Sequence, residues 1–239
     1  MCGRFVSTTP PDELAKYFDA APPAEAALAP NYNVAPTTDV YAVVENESRH
    51  LEAFHWGLVP FWAKDPSVGN RMINARADTL ATKNAYRQAF KRRRCIVPAD
   101  GFYEWHKIAG HKVKQPYFIH RVDDEPLAFA GLWEAWKPKG AEDDEVLRST
   151  TIVTTDANAT MSVIHDRMPV ILPPSKWAEW LDPANEDVDS LAGLLVPAPP
   201  QLLTMHPVST DVGNVRNRGA YLVDAIPESQ VVGSGPEAR

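Results

Sequence analysis

In the opening pentapeptide MCGRF a cysteine stands directly behind the initiator methionine. So small a second residue permits an aminopeptidase to remove Met1, after which Cys2 would be the first residue. Such a terminus is a 1,2-aminothiol, with an α-amine of near-neutral pKa and a thiol on the adjacent carbon. The plainer reading is a chance residue of a frayed end, and composition alone favours it. The only other cysteine, Cys95, opens an apolar run in RRRCIVPAD and reads as a buried, inert thiol. Two cysteines without a CxxC pair make neither a disulfide framework nor a structural zinc site, so no metal or cofactor is expected.

Four further stretches carry groups able to do chemistry. In INAR (73–76), Asn74 and Arg76 fall on one side of an extended segment. There an amide can orient a hydroxyl and a guanidinium can hold a phosphate, although an asparagine also simply turns a chain. In ADGFYEWHK (99–107), Glu104 shares a strand face with Phe102; partly buried among aromatics, it would be suited to moving protons. An edge-strand carboxylate facing water is the default alternative. In SVIHDRMPVIL (162–172), the polar triplet His165, Asp166 and Arg167 sits between two apolar runs, where ionisable groups are costly unless used. HPVSTDVGNVRN (206–217) reads as a structured loop and no more. Trp62 in VPFWAKDP and Trp105 fit a core, or a site that stacks bases.

The elements that would position these groups are mostly strands. Runs at 40–46, 51–59, 101–105, 116–122, 126–136, 149–155 and 202–208 are rich in β-branched and aromatic residues. Helical patterns appear in PPDELAKYFDA, DTLATKNAYRQAFKRRR, DANATMSVIH, PSKWAEWL and DVDSLAGLL. No regular βαβ alternation joins them. The fold class is therefore α+β, with a strongly curved, mostly antiparallel sheet. One domain is expected over residues 1–225, followed by a disordered tail over 226–239. No apolar run is long enough to span a membrane and no secretory leader is evident, so a cytoplasmic location is expected. A net charge of −7 excludes a protein that coats nucleic acid by bulk attraction. Any nucleic-acid site would be a local basic channel. The run Lys91–Arg94 reads slightly better as a helix end favoured by the dipole than as a ligand contact.

Taken in order, MCGRF, YNVAPT, INARADT, ADGFYEW, SVIHDRMPVIL and HPVSTDVGNVRN resemble the SRAP (SOS response-associated peptidase) family of abasic-site processing proteins. The resemblance runs from Cys2 to about Val223. It implies a sheet curled into a pseudo-barrel with helices around it, and a monomer that covalently captures abasic sites in single-stranded DNA, associating with the nucleoid when bound. It further implies Cys2 as the reactive residue, with Asn74, Glu104 and His165 in support. DNA contacts would fall to Arg4, Asn33, Arg76 and Arg167, with Trp62 and Trp105 stacking on or wedging between bases.

Elementary chemistry agrees. A ring-opened abasic sugar is an aldehyde; an amine condenses with it to a Schiff base, and a neighbouring thiol closes that imine to a stable five-membered thiazolidine. Three rivals share the features. A class II glutamine amidotransferase also opens Met-Cys-Gly, a thiol peptidase would pair Cys2 with His165, and a non-covalent single-strand binder would need Cys2 only for structure.

Overall fold

The structure is a computed structural model, and it describes residues 2–24, 27–140 and 145–234. Among these the strands are β1 (Phe5–Ser7), β2 (Asn31–Val34), β3 (Asp39–Glu45), β4 (Arg49–Trp56), β5 (Asn74–Arg76) and β6 (Arg94–Ala99). They continue as β7 (Gly101–His106), β8 (Gln115–Arg121), β9 (Leu127–Trp136), β10 (Leu147–Asp156), β11 (Arg167–Pro169) and β12 (Leu203–Pro207). Short helices α1 (Pro11–Tyr17), α2 (Arg87–Arg92), α3 (Trp177–Leu181) and α4 (Val188–Gly193) complete the set.

The expected α+β class holds, with the curved sheet realised as two. A five-stranded sheet runs β12-β8-β7-β1-β2, and a seven-stranded sheet runs β11-β10-β4-β3-β6-β9 with β5 beside β10. Because β10 pairs with both β4 and β9, the second sheet's pairings return on themselves in a barrel-like ring. The period-2 alternation of strands builds three apolar layers. On β3, Val40, Ala42 and Val44 face the interior shared with Phe5, Phe102 and Ile119 of the other sheet, while Tyr41 and Val43 face the opposite way. That second face is covered by α1, α3 and α4 through Leu14, Phe18, Trp177, Trp180 and Leu191. The third layer, Val6, Tyr103 and Phe118 with Val208, Val212 and Leu222, closes the outer face of the five-stranded sheet.

Several local expectations change. The long helix over DTLATKNAYRQAFKRRR is reduced to α2, because hydroxyls preceding it bond backward: Thr79 to Arg76 O and Thr82 to Thr79 O, each at 3.2 Å. The KRRR run is not a solvated helix end throughout. Arg94 begins β6, is 2% exposed, and donates to the carbonyls of Trp180 (2.6 Å) and Phe90 (2.8 Å). Burial pulls its pKa down to about 10. DANATMSVIH gives a single 3-10 turn, Met161–Val163. Of the tail expected to be disordered, the part up to Ser234 is held instead: Ile226 N–H donates to Pro207 O and Val232 N–H to the buried Gln115 Oε1. Residues 235–239 lie outside the described residues.

Asp100, in the turn between β6 and β7, anchors the N-terminal strand. Its carboxylate accepts from Thr8 Oγ1 (2.7 Å) and Thr9 N–H (3.1 Å), and also from Thr8 N–H and Thr9 Oγ1. Asp100→Ala leaves those donors without their charged acceptor. It is expected to lower unfolding stability by about 1–3 kcal/mol in urea titration, with protection lost first in β1 by hydrogen exchange.

Candidate functional site

β1 inserts between β2 and β7, setting Phe5 opposite Phe102. Tyr103 N–H donates to Arg4 O at 2.9 Å, so the pairing continues beyond the strand toward Cys2. Two residues past Phe102 on the same face, Glu104 is 3% exposed, inside the protein rather than at a watered edge. Cys2 is fully buried beside it. Burial pushes the Cys2 thiol well up, and the adjacent Glu104 carboxylate pushes it further.

Asn74 joins this pair from the other sheet. β5 lies parallel to β10 with Asn74 opposite Ile152, and its Nδ2 donates to Cys2 O at 2.8 Å. Its Oδ1 is buried without a hydrogen-bond partner among the described residues. An acceptor so placed is complete only when a donor reaches it. Tyr86, just ahead of α2, donates its hydroxyl to Asn74 O at 3.4 Å. Cys2, Asn74 and Glu104 are thus assembled from three distant segments.

The HDR triplet lies along the same sheet. Asp156 opposes Arg167 in the β10–β11 pair, and Thr154 opposes Arg76 in the β10–β5 pair. Arg76 and Arg167 are both held by carboxylates. Arg76 Nε donates to Asp78 Oδ1 at 3.1 Å, with Nη2 on the second oxygen, and this pairing raises its pKa. Arg167 Nη1 meets Asp156 Oδ1 at 3.0 Å, while Nη2 donates to Thr154 O at 2.6 Å. His165 Nδ1 accepts from Arg167 N–H at 3.0 Å, which suits a neutral ring protonated on Nε2. Asp166 Oδ1 lies 2.8 Å from the same nitrogen and would take over when Nδ1 carries a proton.

Arg4 and Asn33 form a separate cluster on the outer face. Arg4 Nη1 donates to Asn33 Oδ1 (2.7 Å) and Val212 O (2.8 Å), and its guanidinium lies 5.8 Å from the centre of the Trp105 ring. Burial lowers the Arg4 pKa. Asn33 was expected as a DNA contact, yet it is 1% exposed and its amide is spent internally. Nδ2 is shared among the carbonyls of Val212 (3.2 Å), Asn214 (3.1 Å) and Asn217 (2.8 Å). Its place is to clamp the loop that HPVSTDVGNVRN announced. Trp105 packs partly buried beside Arg4, whereas Trp62 stands exposed on a different loop, next to Asn84 and Arg87.

Sequence reasoning missed Asp78 and Asp156, the carboxylates that occupy the arginines. The Arg-Ala-Asp spacing in INARAD was the available signal for the first. Among the described residues no group of three or more His, Cys, Asp or Glu side chains could hold a metal ion, and no helix is long and apolar enough to cross a membrane.

A barrel-like α+β fold in which Cys2 is buried against an asparagine and a glutamate defines a distinct class. The chain belongs to the SOS response associated peptidase (SRAP) family, whose model matches residues 1–215. It is 41% identical over 229 residues to the abasic site processing protein YoaM of Bacillus subtilis, covering 94% of this chain and 98% of the relative. It is 36% identical over 234 residues to the abasic site processing protein YedK of Escherichia coli, covering 95% and 100%. In fold it is similar to a crystal structure of a Bacteroides thetaiotaomicron protein, with a TM-score of 0.83, 24% identity, and 95% and 100% of the two chains covered.

Asn33→Ala would strand three loop carbonyls and release Arg4. We expect faster amide exchange across residues 210–218 and a loss of about 1–3 kcal/mol in stability, while exchange in β10 stays unchanged.

Proposed function

We propose that this chain captures abasic sites in single-stranded DNA through Cys2, once removal of Met1 frees its α-amine. The observation that carries this reading is the convergence of Cys2, Asn74 and Glu104, one residue from each of three separate segments, at a single buried point. The names of the relatives support the class of substrate. Met1 itself lies outside the described residues.

The amine adds to the C1′ aldehyde of the opened sugar, and the carbinolamine loses water to give an imine. Cys2 sulfur then attacks the imine carbon while nitrogen takes a proton, closing the thiazolidine. Glu104 supplies the proton that lets water leave and accepts the one the thiol gives up. Asn74 fixes the Cys2 backbone through Nδ2, leaving Oδ1 to accept a sugar hydroxyl. His165, with Nε2 free to donate, assists ring opening. Arg4, Arg76 and Arg167 take the flanking phosphates without reading sequence. The protein acts as a monomer in the compartment that holds the DNA. A peptidase in which Cys2 is the thiolate nucleophile is supported less well, because a catalytic thiolate needs a lowered pKa and this site raises it.

With Met1 removed, the wild-type protein is expected to give a heat-stable shifted band on a denaturing gel with single-stranded DNA carrying one abasic site. Cys2→Ala gives none, and Cys2→Ser gives only a labile adduct that borohydride traps. Glu104→Gln should slow capture by about 10²-fold. A Cys2→Ala protein that still forms the heat-stable band would sink the proposal.

A second expectation concerns charge. Asp78→Asn removes the bidentate partner of Arg76, so affinity for unmodified single-stranded DNA should rise severalfold. The slope of log K against log salt should steepen by roughly one phosphate's worth, about 0.7. Unchanged affinity and slope in a filter-binding titration would remove Arg76 from the phosphate contacts.

A further inference from the structure

Two adjoining cavities, about 510 and 320 Å³, share Phe61 and Gln88 and form one open groove between the 60–65 loop and α2. Phe61 and Trp62 rise on its loop side at 55% and 53% exposure. Neighbouring aromatic faces left in water are unfavourable for a chain that could bury them, and they mark a place where something planar lands. Opposite them, α2 contributes the exposed Arg87 and Gln88.

The groove floor is charged in an informative way. Glu134 is 2% exposed and ion-paired to Arg93 at 2.7 Å, so the single carboxylate lining the groove is neutralised and its pKa is raised by burial. Arg93 Nε remains buried without a hydrogen-bond partner among the described residues. The groove therefore presents positive charge, an orphaned donor, an amide and aromatic faces. That combination suits an unpaired nucleotide, whose phosphate meets a guanidinium and whose base stacks on a ring.

Its position is equally telling. Arg87 follows Tyr86, whose hydroxyl bonds Asn74 O, and Asn74 holds Cys2. A strand engaged at Cys2 has α2 as its immediate neighbour.

We propose that this groove is a second nucleotide subsite, which takes an unpaired nucleotide flanking the lesion on the captured strand. The base stacks on Phe61, and Arg87 and Arg93 meet its phosphate and polar edge. The inference rests on the capture reading above and extends it to a footprint with one preferred side.

The test is a length series. Single-stranded oligonucleotides with one abasic site are extended stepwise on the 5′ side or on the 3′ side, and adduct formation is timed at subsaturating DNA. The wild-type rate should climb about fivefold or more once one side, and not the other, reaches the groove. Phe61→Ala and Arg87→Ala, both exposed and outside the core, should abolish that increment and leave the rate on the shortest oligonucleotide within about twofold. Identical length dependence in wild type and both variants would overturn the subsite. If the wild type forms no adduct with any oligonucleotide, it is the capture reading that fails. Anisotropy titration of unmodified single strands then decides the subsite: weaker binding by Phe61→Ala supports it, and equal binding overturns it.

Discussion

The site depends on one constraint, the insertion of a three-residue strand, β1, between β2 and β7. So short a strand has few ladder bonds of its own to resist fraying. It is held by the Asp100 carboxylate at one end and by Asn74 gripping Cys2 O at the other. Phe5 adds a third anchor, packing edge-on against Trp56 at 5.1 Å and against Phe129 at 6.3 Å. Those contacts come from both sheets. The first residues of the chain are thus fixed by the joint between the sheets, where neither sheet alone could hold them.

Alternation then divides the chemistry between two faces. Along β7, Phe102 and Glu104 point into the space between the sheets while Tyr103 and Trp105 point outward. The inward face holds the reacting groups. The outward face holds Arg4, Asn33 and the 212–217 loop, which present charge to whatever lies on the surface. An acidic chain with a net charge of −7 can work this way because its arginines are few and placed. Arg76 and Arg167 each carry a carboxylate in the position a phosphate would take. Exposed ion pairs of this kind are weak, so a phosphate can displace them at little cost, while casual contacts with nucleic acid are discouraged.

How much of this was legible follows from the range of the interactions. Local pattern located most strands, the α+β class and the INAR, FYEW and HDR stretches, since alternation and turn chemistry are written in neighbouring residues. It also placed Glu104 on the face of Phe102, a consequence of period 2 alone. It could not show Asn33 as a loop clamp, because its partners lie some 180 residues away. Nor could it see that Arg94 is buried by carbonyls of α3 and the turn after it. The overlong helix before Arg94 failed for a local reason, hydroxyl groups competing for backbone carbonyls, which propensity reasoning underweighted.

The raised thiol pKa, which looks like an obstacle, orders the proposed chemistry. A thiolate at Cys2 would attack the aldehyde first and give a reversible hemithioacetal. With burial and Glu104 both holding sulfur protonated, the amine is the better nucleophile at neutral pH and the imine forms first. The iminium then brings positive charge next to the Glu104 carboxylate and the thiol. That charge favours thiolate formation at the moment it is needed, and the same carboxylate that suppressed ionisation now receives the proton. One glutamate therefore acts against the thiol before the imine exists and for it afterwards.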